Sequence, residues 1–215
     1  MTEHEPKPLD CDVSVPEAAR SGATVAVLLH GRGSHKGDLQ GLAPLLPARW
    51  ALVTPQAPHP GAPWGYGPGG AWYRYLEDDR VVAETLTQSL DALDAFLAGL
   101  PTRLGFAPGR IVLGGFSQGG TVSMAYALSR PKAVSAALNF SGFLAASVNL
   151  AQARAAPPIF WGHGTHDVNI PLALAVRGRK RLAEAGAEMM ARDYEIGHWI
   201  VPEEIADAVA AVGGA

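Results

Sequence analysis

Short apolar runs and helix-length amphipathic segments alternate along this chain. TVAVLLH at 24–30, WALVT at 50–54, RIVLGGF at 110–116, AVSAALNF at 133–140 and PIFW at 158–161 are apolar without strict alternation. EMMARDY at 188–194 is a sixth run with a weaker pattern. Continuous apolar runs predict strands buried on both faces of a parallel sheet. Between them, 79–100 carries apolar residues at 82, 86, 90, 93 and 97, three and four apart, which predicts a helix. Further helices are predicted over 118–129, stopped before Pro131, over 171–185, capped by Gly186, and over 202–212, opened by Pro202. Strand and helix in turn predict an α/β fold with helices on both faces of a mostly parallel sheet.

One segment breaks the alternation. Residues 56–75 read QAPHPGAPWGYGPGGAWYRY, a long loop rich in proline, glycine and aromatic rings. Loops of this length in compact domains are commonly functional, and rings of this number gain stability by burial. Trp64, Tyr66 and Trp72 are the expected wall of a substrate pocket.

Composition narrows the function classes. The 215 residues fit a single domain over 1–215, with 1–20 a polar and partly extended N-terminal segment. Apolar residues make up 48 % and charged residues 17 %, enough to build a core. The net charge of −3 and the absence of a basic run argue against nucleic acid as a partner. No run of about 18 apolar residues exists, so no stable membrane insertion is expected. The start MTEHEPKPLD lacks the basic and apolar regions of a secretory signal, so the expected location is cytoplasmic. Cys11 is the only cysteine, which excludes an internal disulfide and a thiolate metal cluster. No metal site and no cofactor are expected. An exposed apolar helix face leaves room for a homodimer.

The chemistry lies at the end of the 110–116 run. Gly115-Phe116-Ser117-Gln118-Gly119 fits G-x-S-x-G, with a predicted strand before it and a predicted helix after it. A sharp turn there lifts the serine hydroxyl clear of the sheet, next to the positive end of the following helix. A serine hydroxyl needs a base, and in this architecture the chain order is nucleophile, acid, histidine. His198 is the only histidine after Asp167. Asp167 follows the 158–161 strand directly and is the preferred acid; Asp193 and Glu195 are rivals by order alone. An oxyanion requires donors as well. The backbone N–H of Gln118 and that of Arg32, in the loop HGRGS at 30–34, are the candidates. His30 and His163 read as hydrogen-bonded supports, His4, His35 and His59 as exposed. Ser141 lacks a preceding glycine and reads as a packed turn.

LLHGRGS, GGFSQGG, NFSG, GHGTHDVNIP and IGHW, in that order, resemble the phospholipase/carboxylesterase family of α/β-hydrolases, from about residue 24 to 212. The resemblance implies an α/β-hydrolase fold without a large cap domain and a Ser117–Asp167–His198 triad. The loop around Arg32 and the replacement of a family acid by Arg74 place the chain nearer small bacterial esterases than depalmitoylating enzymes. The expected activity is hydrolysis of small-molecule carboxylic esters of short to medium chain through an acyl-enzyme. The alternatives are a thioesterase or lysophospholipase with the same triad, and a small-molecule binder whose triad is idle.

Overall fold

The computed structural model describes residues 8–213; the N-terminal part of the polar segment, including His4, lies outside them. Seven strands form the central sheet: β1 (Cys11–Ser14), β2 (Thr24–Leu29), β3 (Ala51–Pro55), β4 (Arg110–Phe116), β5 (Ala136–Phe140), β6 (Ile159–Gly164) and β7 (Met189–Tyr194). Their spatial order is β1-β3-β2-β4-β5-β6-β7. Only β1 runs antiparallel, pairing Cys11 with Pro55 and Ser14 with Leu52. Five helices follow in chain order: α1 (Ala83–Ala98), the short α2 (Leu100–Leu104), α3 (Gln118–Ser129), α4 (Leu172–Glu184) and α5 (Pro202–Val212).

The pleat of β2 divides the core in two. Val25, Val27 and Leu29 pack with α1, α3 and α4 residues such as Leu93, Val122 and Ala175. Ala26 and Leu28 face the other way, toward Ile205, Ala208 and Val212 of α5 and toward Leu39. Both faces are therefore covered, which is why these runs read as continuous instead of alternating. Central α3 is buried along almost its whole length, from Gln118 to Leu128.

The helix predicted over 79–100 starts later, at Ala83, because residues 80–81 are used in a two-stranded ribbon. In that ribbon Tyr75–Glu77 pairs with Arg80–Val81. A second ribbon, His59–Pro60 with Gly70–Ala71, folds the rest of the long loop. Neither was expected from the sequence, nor was β1, a short edge strand of mixed polarity.

The seam between β2 and α3 is tight. A methyl group added to Gly119 would lie 2.0 Å from the Leu29 carbonyl oxygen, against backbone that has no room to yield. Gly119→Ala should therefore destabilise the fold by about 3 kcal/mol. In a thermal melt this would lower Tm by roughly 6–12 °C, and an unchanged Tm would refute the packing argument.

Candidate active site

Ser117 sits at the joint between β4 and α3 with φ 56° and ψ −113°. A non-glycine residue in that region is strained, and here it is held from both sides. The Ser117 N–H donates to the Phe140 carbonyl at 2.8 Å, and the Ser117 carbonyl accepts from the Thr121 N–H at 3.1 Å. Ser141, after β5, also has a positive φ of 55°, but its hydroxyl is buried, with its N–H bonded to the Gly162 carbonyl. Of the two serines it is Ser117 that borders the cavity.

Asp167 and His198 come together from loops after β6 and β7. His198 Nδ1–H donates to Asp167 Oδ2 at 2.6 Å. Asp167 Oδ1 accepts from the N–H groups of Asn169 and Ile170, each at 2.9 Å. Asp167 is only 6 % exposed, so its carboxylate is aimed at one imidazole and fixed by two backbone donors. This bond assigns the proton of neutral His198 to Nδ1 and leaves the ring's lone pair on Nε2. The ring lies against Phe116, centroids 4.6 Å apart. The rival acids are engaged elsewhere or exposed: Asp193 pairs with Arg179 at 2.6 Å, and Glu195 faces solvent.

The two remaining buried histidines are supports. His163 Nε2–H donates to the Ile170 carbonyl at 2.8 Å, and burial holds its pKa below the usual value, so it stays neutral beside Asp167. His30 Nδ1–H donates to the Gly31 carbonyl at 2.7 Å while Nε2 accepts from the Ala57 N–H at 3.1 Å. Burial again lowers its pKa. His30 thus fixes the loop that carries Arg32. His59 is half-buried, not exposed, and contacts the Thr85 carbonyl and the Trp64 ring.

Gly31, Arg32, Ser117, Gln118 and His198 share the wall of one cavity of about 420 Å3. Gly31 lies so near that a methyl group on it would be 3.6 Å from Ser117 Cβ. The loop is tied to the aromatic segment by the Gly33 N–H, donating to the Gly70 carbonyl at 2.8 Å, and the Gly70 N–H, donating to Ser34 at 2.7 Å. The Gln118 side chain continues this clamp, accepting from the Trp72 N–H at 2.9 Å and donating to the Tyr73 carbonyl at 2.7 Å. The Arg32 guanidinium lies over the Tyr66 ring, 4.8 Å from its centroid. Lys36, in contrast, is paired with Asp10 and Asp12 of the β1 segment.

The pocket wall differs from the expected one. Trp72 is 0 % exposed and donates its indole N–H to the His30 carbonyl at 2.9 Å, so it is a structural strut. Trp64 and Tyr66 pack edge to face on each other outside the cavity. Tyr66 accepts the Tyr75 N–H at its hydroxyl. The apolar wall is built instead by Tyr73, Tyr75, Phe143, Ile170 and Leu174. Burial raises the hydroxyl pKa of Tyr73, so it stays neutral.

A family model described as phospholipase/carboxylesterase matches residues 11–212. The chain belongs to that family. It is accordingly a hydrolase of the carboxylesterase and acyl-protein thioesterase group, in an α/β-hydrolase fold. Acyl-protein thioesterase 1 of Saccharomyces cerevisiae is 27 % identical over 149 residues, 64 % of this chain and 65 % of the yeast protein. A probable carboxylesterase of Oryza sativa is 27 % identical over 209 residues, covering 87 % of this chain and 86 % of that protein. Among solved structures, esterase PE8 superposes with a TM-score of 0.77 at 28 % identity, over 95 % of this chain and 97 % of its own. Within the described residues no helix is long and apolar enough to cross a membrane.

Proposed function

We propose that this family member is a serine carboxylesterase for esters of short to medium acyl chain, with Ser117 as nucleophile, His198 as base and Asp167 as its orienting acid. The observation that carries the reading is the 2.6 Å bond from His198 to a buried Asp167, in a cavity that also presents Ser117 on a strained turn. His198 Nε2 takes the Ser117 proton as Oγ attacks the ester carbonyl. The backbone N–H groups of Gln118 and Arg32 receive the oxyanion. The proton passes to the departing alcohol oxygen as its bond to carbon breaks. A water molecule, deprotonated by the same nitrogen, then releases the acid and restores Ser117.

A cavity of about 420 Å3, with Phe143 and Leu174 in its apolar wall, supports a short or medium acyl group over a long one. The experiment is labelling by a fluorophosphonate followed by intact mass, with turnover of acetyl to palmitoyl esters alongside. Labelling of wild type and not of Ser117→Ala, with the highest kcat/KM at butyryl or hexanoyl, is the expected outcome. Absence of labelling in folded protein would refute the nucleophile, and fastest turnover of palmitoyl esters would refute the size limit. Thioester hydrolysis is the second reading, favoured by the yeast relative's name. Rates on matched butyryl ester and butyryl thioester separate the two.

A further inference from the structure

His198 borders a second hollow as well as the main cavity. A groove of about 200 Å3 runs from it between the turn that follows Asp38 and the loop that follows His198. Its walls are Leu39, Leu42, Phe116, Trp199 and Ile200, with Asp38 at the junction. Asp38, Phe116 and His198 line both spaces, so groove and cavity adjoin at these three residues. Ser117, Gln118 and Arg32 line only the cavity.

This division maps onto the two halves of an ester. The acyl carbonyl must stand against Ser117 and the oxyanion donors, which places the acyl group in the main cavity. The leaving oxygen must receive its proton from His198 Nε2, so the group bonded to that oxygen runs along the His198 wall. A third hollow, on the outer side of Trp199, borders His166, Val168 and Asn169. It borders the loop around Asp167, whose carboxylate holds Nδ1, and touches neither Phe116 nor Ser117. The groove instead borders Phe116, the residue before Ser117.

Building on the serine-esterase reading above, we propose that this groove is the leaving-group subsite and that it selects esters of uncharged, apolar alcohols. Leu39, Leu42, Phe116 and Ile200 offer only apolar contact, and the exposed Asp38 carboxylate beside the entrance repels an anionic alcohol. Trp199 is 55 % exposed, and its ring lies against Gly197. A methyl group at Gly197 would lie 2.4 Å from that ring. The indole lines both the groove and the outer hollow, and an alkyl alcohol would cover its groove face.

The subsite acts on one half of the reaction only. During acylation the Ser117 Oγ–carbon bond forms, the carbon–alkoxide bond breaks and His198 hands its proton to the alcohol. Deacylation proceeds from the same acyl-enzyme whatever alcohol has left. The test uses methyl, butyl and hexyl butyrate with wild type, Trp199→Ala, which opens the groove, and Leu42→Trp, which fills it. Each fully buried methylene is worth about fourfold, and a groove open on one side delivers about half of that on the logarithmic scale. Wild type is expected to prefer hexyl over methyl butyrate in kcat/KM by about thirtyfold. Both variants should bring that preference below about threefold, and the deacylation rate from a p-nitrophenyl butyrate burst should be the same in wild type and both variants. Equal kcat/KM for the three esters in wild type would overturn the inference. So would a preference that survives Leu42→Trp, or a Trp199→Ala protein that loses methyl and hexyl butyrate alike and deacylates slowly, which marks a residue that only positions His198. If Trp199→Ala does not fold, Leu42→Trp decides. Failure of the esterase reading is separately visible, as no ester turnover and no fluorophosphonate label on Ser117, and it removes the subsite with it.

Discussion

Ser117→Ala should lower kcat/KM on a butyrate ester by roughly 10⁵-fold, about 7 kcal/mol of transition-state stabilisation. The protein should remain folded. The Ser117 hydroxyl is the N-cap side chain of α3 but makes no capping hydrogen bond, and alanine carries no more backbone strain at φ 56° than serine does. A thermal melt should shift by no more than the equivalent of about 0.5 kcal/mol. His198→Ala should cost about as much activity, and the double variant hardly more than either single one, because nucleophile and base work as a unit. Asp167→Asn is the more informative change. Its Oδ1 position must keep accepting from the N–H groups of Asn169 and Ile170, so the new amide nitrogen faces His198. An N–H facing Nδ1 forces the proton onto Nε2 and removes the base, with an expected loss of about 10⁴-fold in kcat. Activity within tenfold of wild type in Ser117→Ala would mean that the ester is cleaved elsewhere.

What the sequence could reveal about this site depended on whether a residue acts through its place in the chain or through its direction. Ser117, Asp167 and His198 each follow a parallel strand, and a parallel sheet gathers all such ends at one edge. Their order was therefore enough to bring them together. Arg32 and Gln118 follow by the same logic, since both stand just past strand ends. The pocket wall obeys no such rule. Trp64, Tyr66 and Trp72 share a loop with Tyr73 and Tyr75, but which rings turn inward is set by hydrogen bonds that cross the molecule. The His30 carbonyl and the Gln118 amide capture Trp72, and Gln118 in turn holds the backbone of Tyr73. Phe143 and Leu174 reach the same wall from two other crossovers. The edge strand β1 escaped for a related reason. Its four residues alternate weakly, because Asp12 serves Lys36 and the neighbouring Thr54 joins a polar chain through Gln40 instead of an apolar core.

The same clamp explains how a strained nucleophile is tolerated. The turn at Ser117 is paid for by contacts that do not touch substrate: the bonds to Phe140 and Thr121, the Gln118 bridge to the aromatic loop, and the close seat of Gly119 on β2. Each fixes backbone on one side of the serine. Loosening the aromatic loop would therefore be felt first in the geometry of the oxyanion donors, since Gly70 holds both Gly33 and Ser34.

A second large effect is expected at Glu204, in the first turn of α5, whose ionisation should add a pH dependence of stability that Glu204→Gln lacks. This carboxyl is 1 % exposed, neither oxygen has a hydrogen-bond partner among the described residues, and a methyl group on Gly162 of β6 would lie 2.0 Å from Oε1. Burial pushes its pKa up to about 8. The charged groups facing it do not reverse that. Arg179 of α4 is committed to Asp193, and Asp207, one turn along α5, adds a like charge while pairing with Arg192 of β7. A carboxyl whose pKa is higher folded than unfolded binds more protons in the native state between those two values. The contribution of Glu204 to stability therefore falls as pH rises from about 4.5 to about 8, by about 1.4 kcal/mol per unit, and levels off above. The whole interval is worth on the order of 4–5 kcal/mol. Glutamine has nearly the same shape and no charge. Its unpaired amide adds an offset that is the same at every pH, so the slope is the quantity to read. In urea melts the stability of Glu204→Gln minus that of wild type should grow steadily from pH 5 to pH 8 and then stay constant. Parallel profiles would mean that Glu204 ionises freely in the native protein.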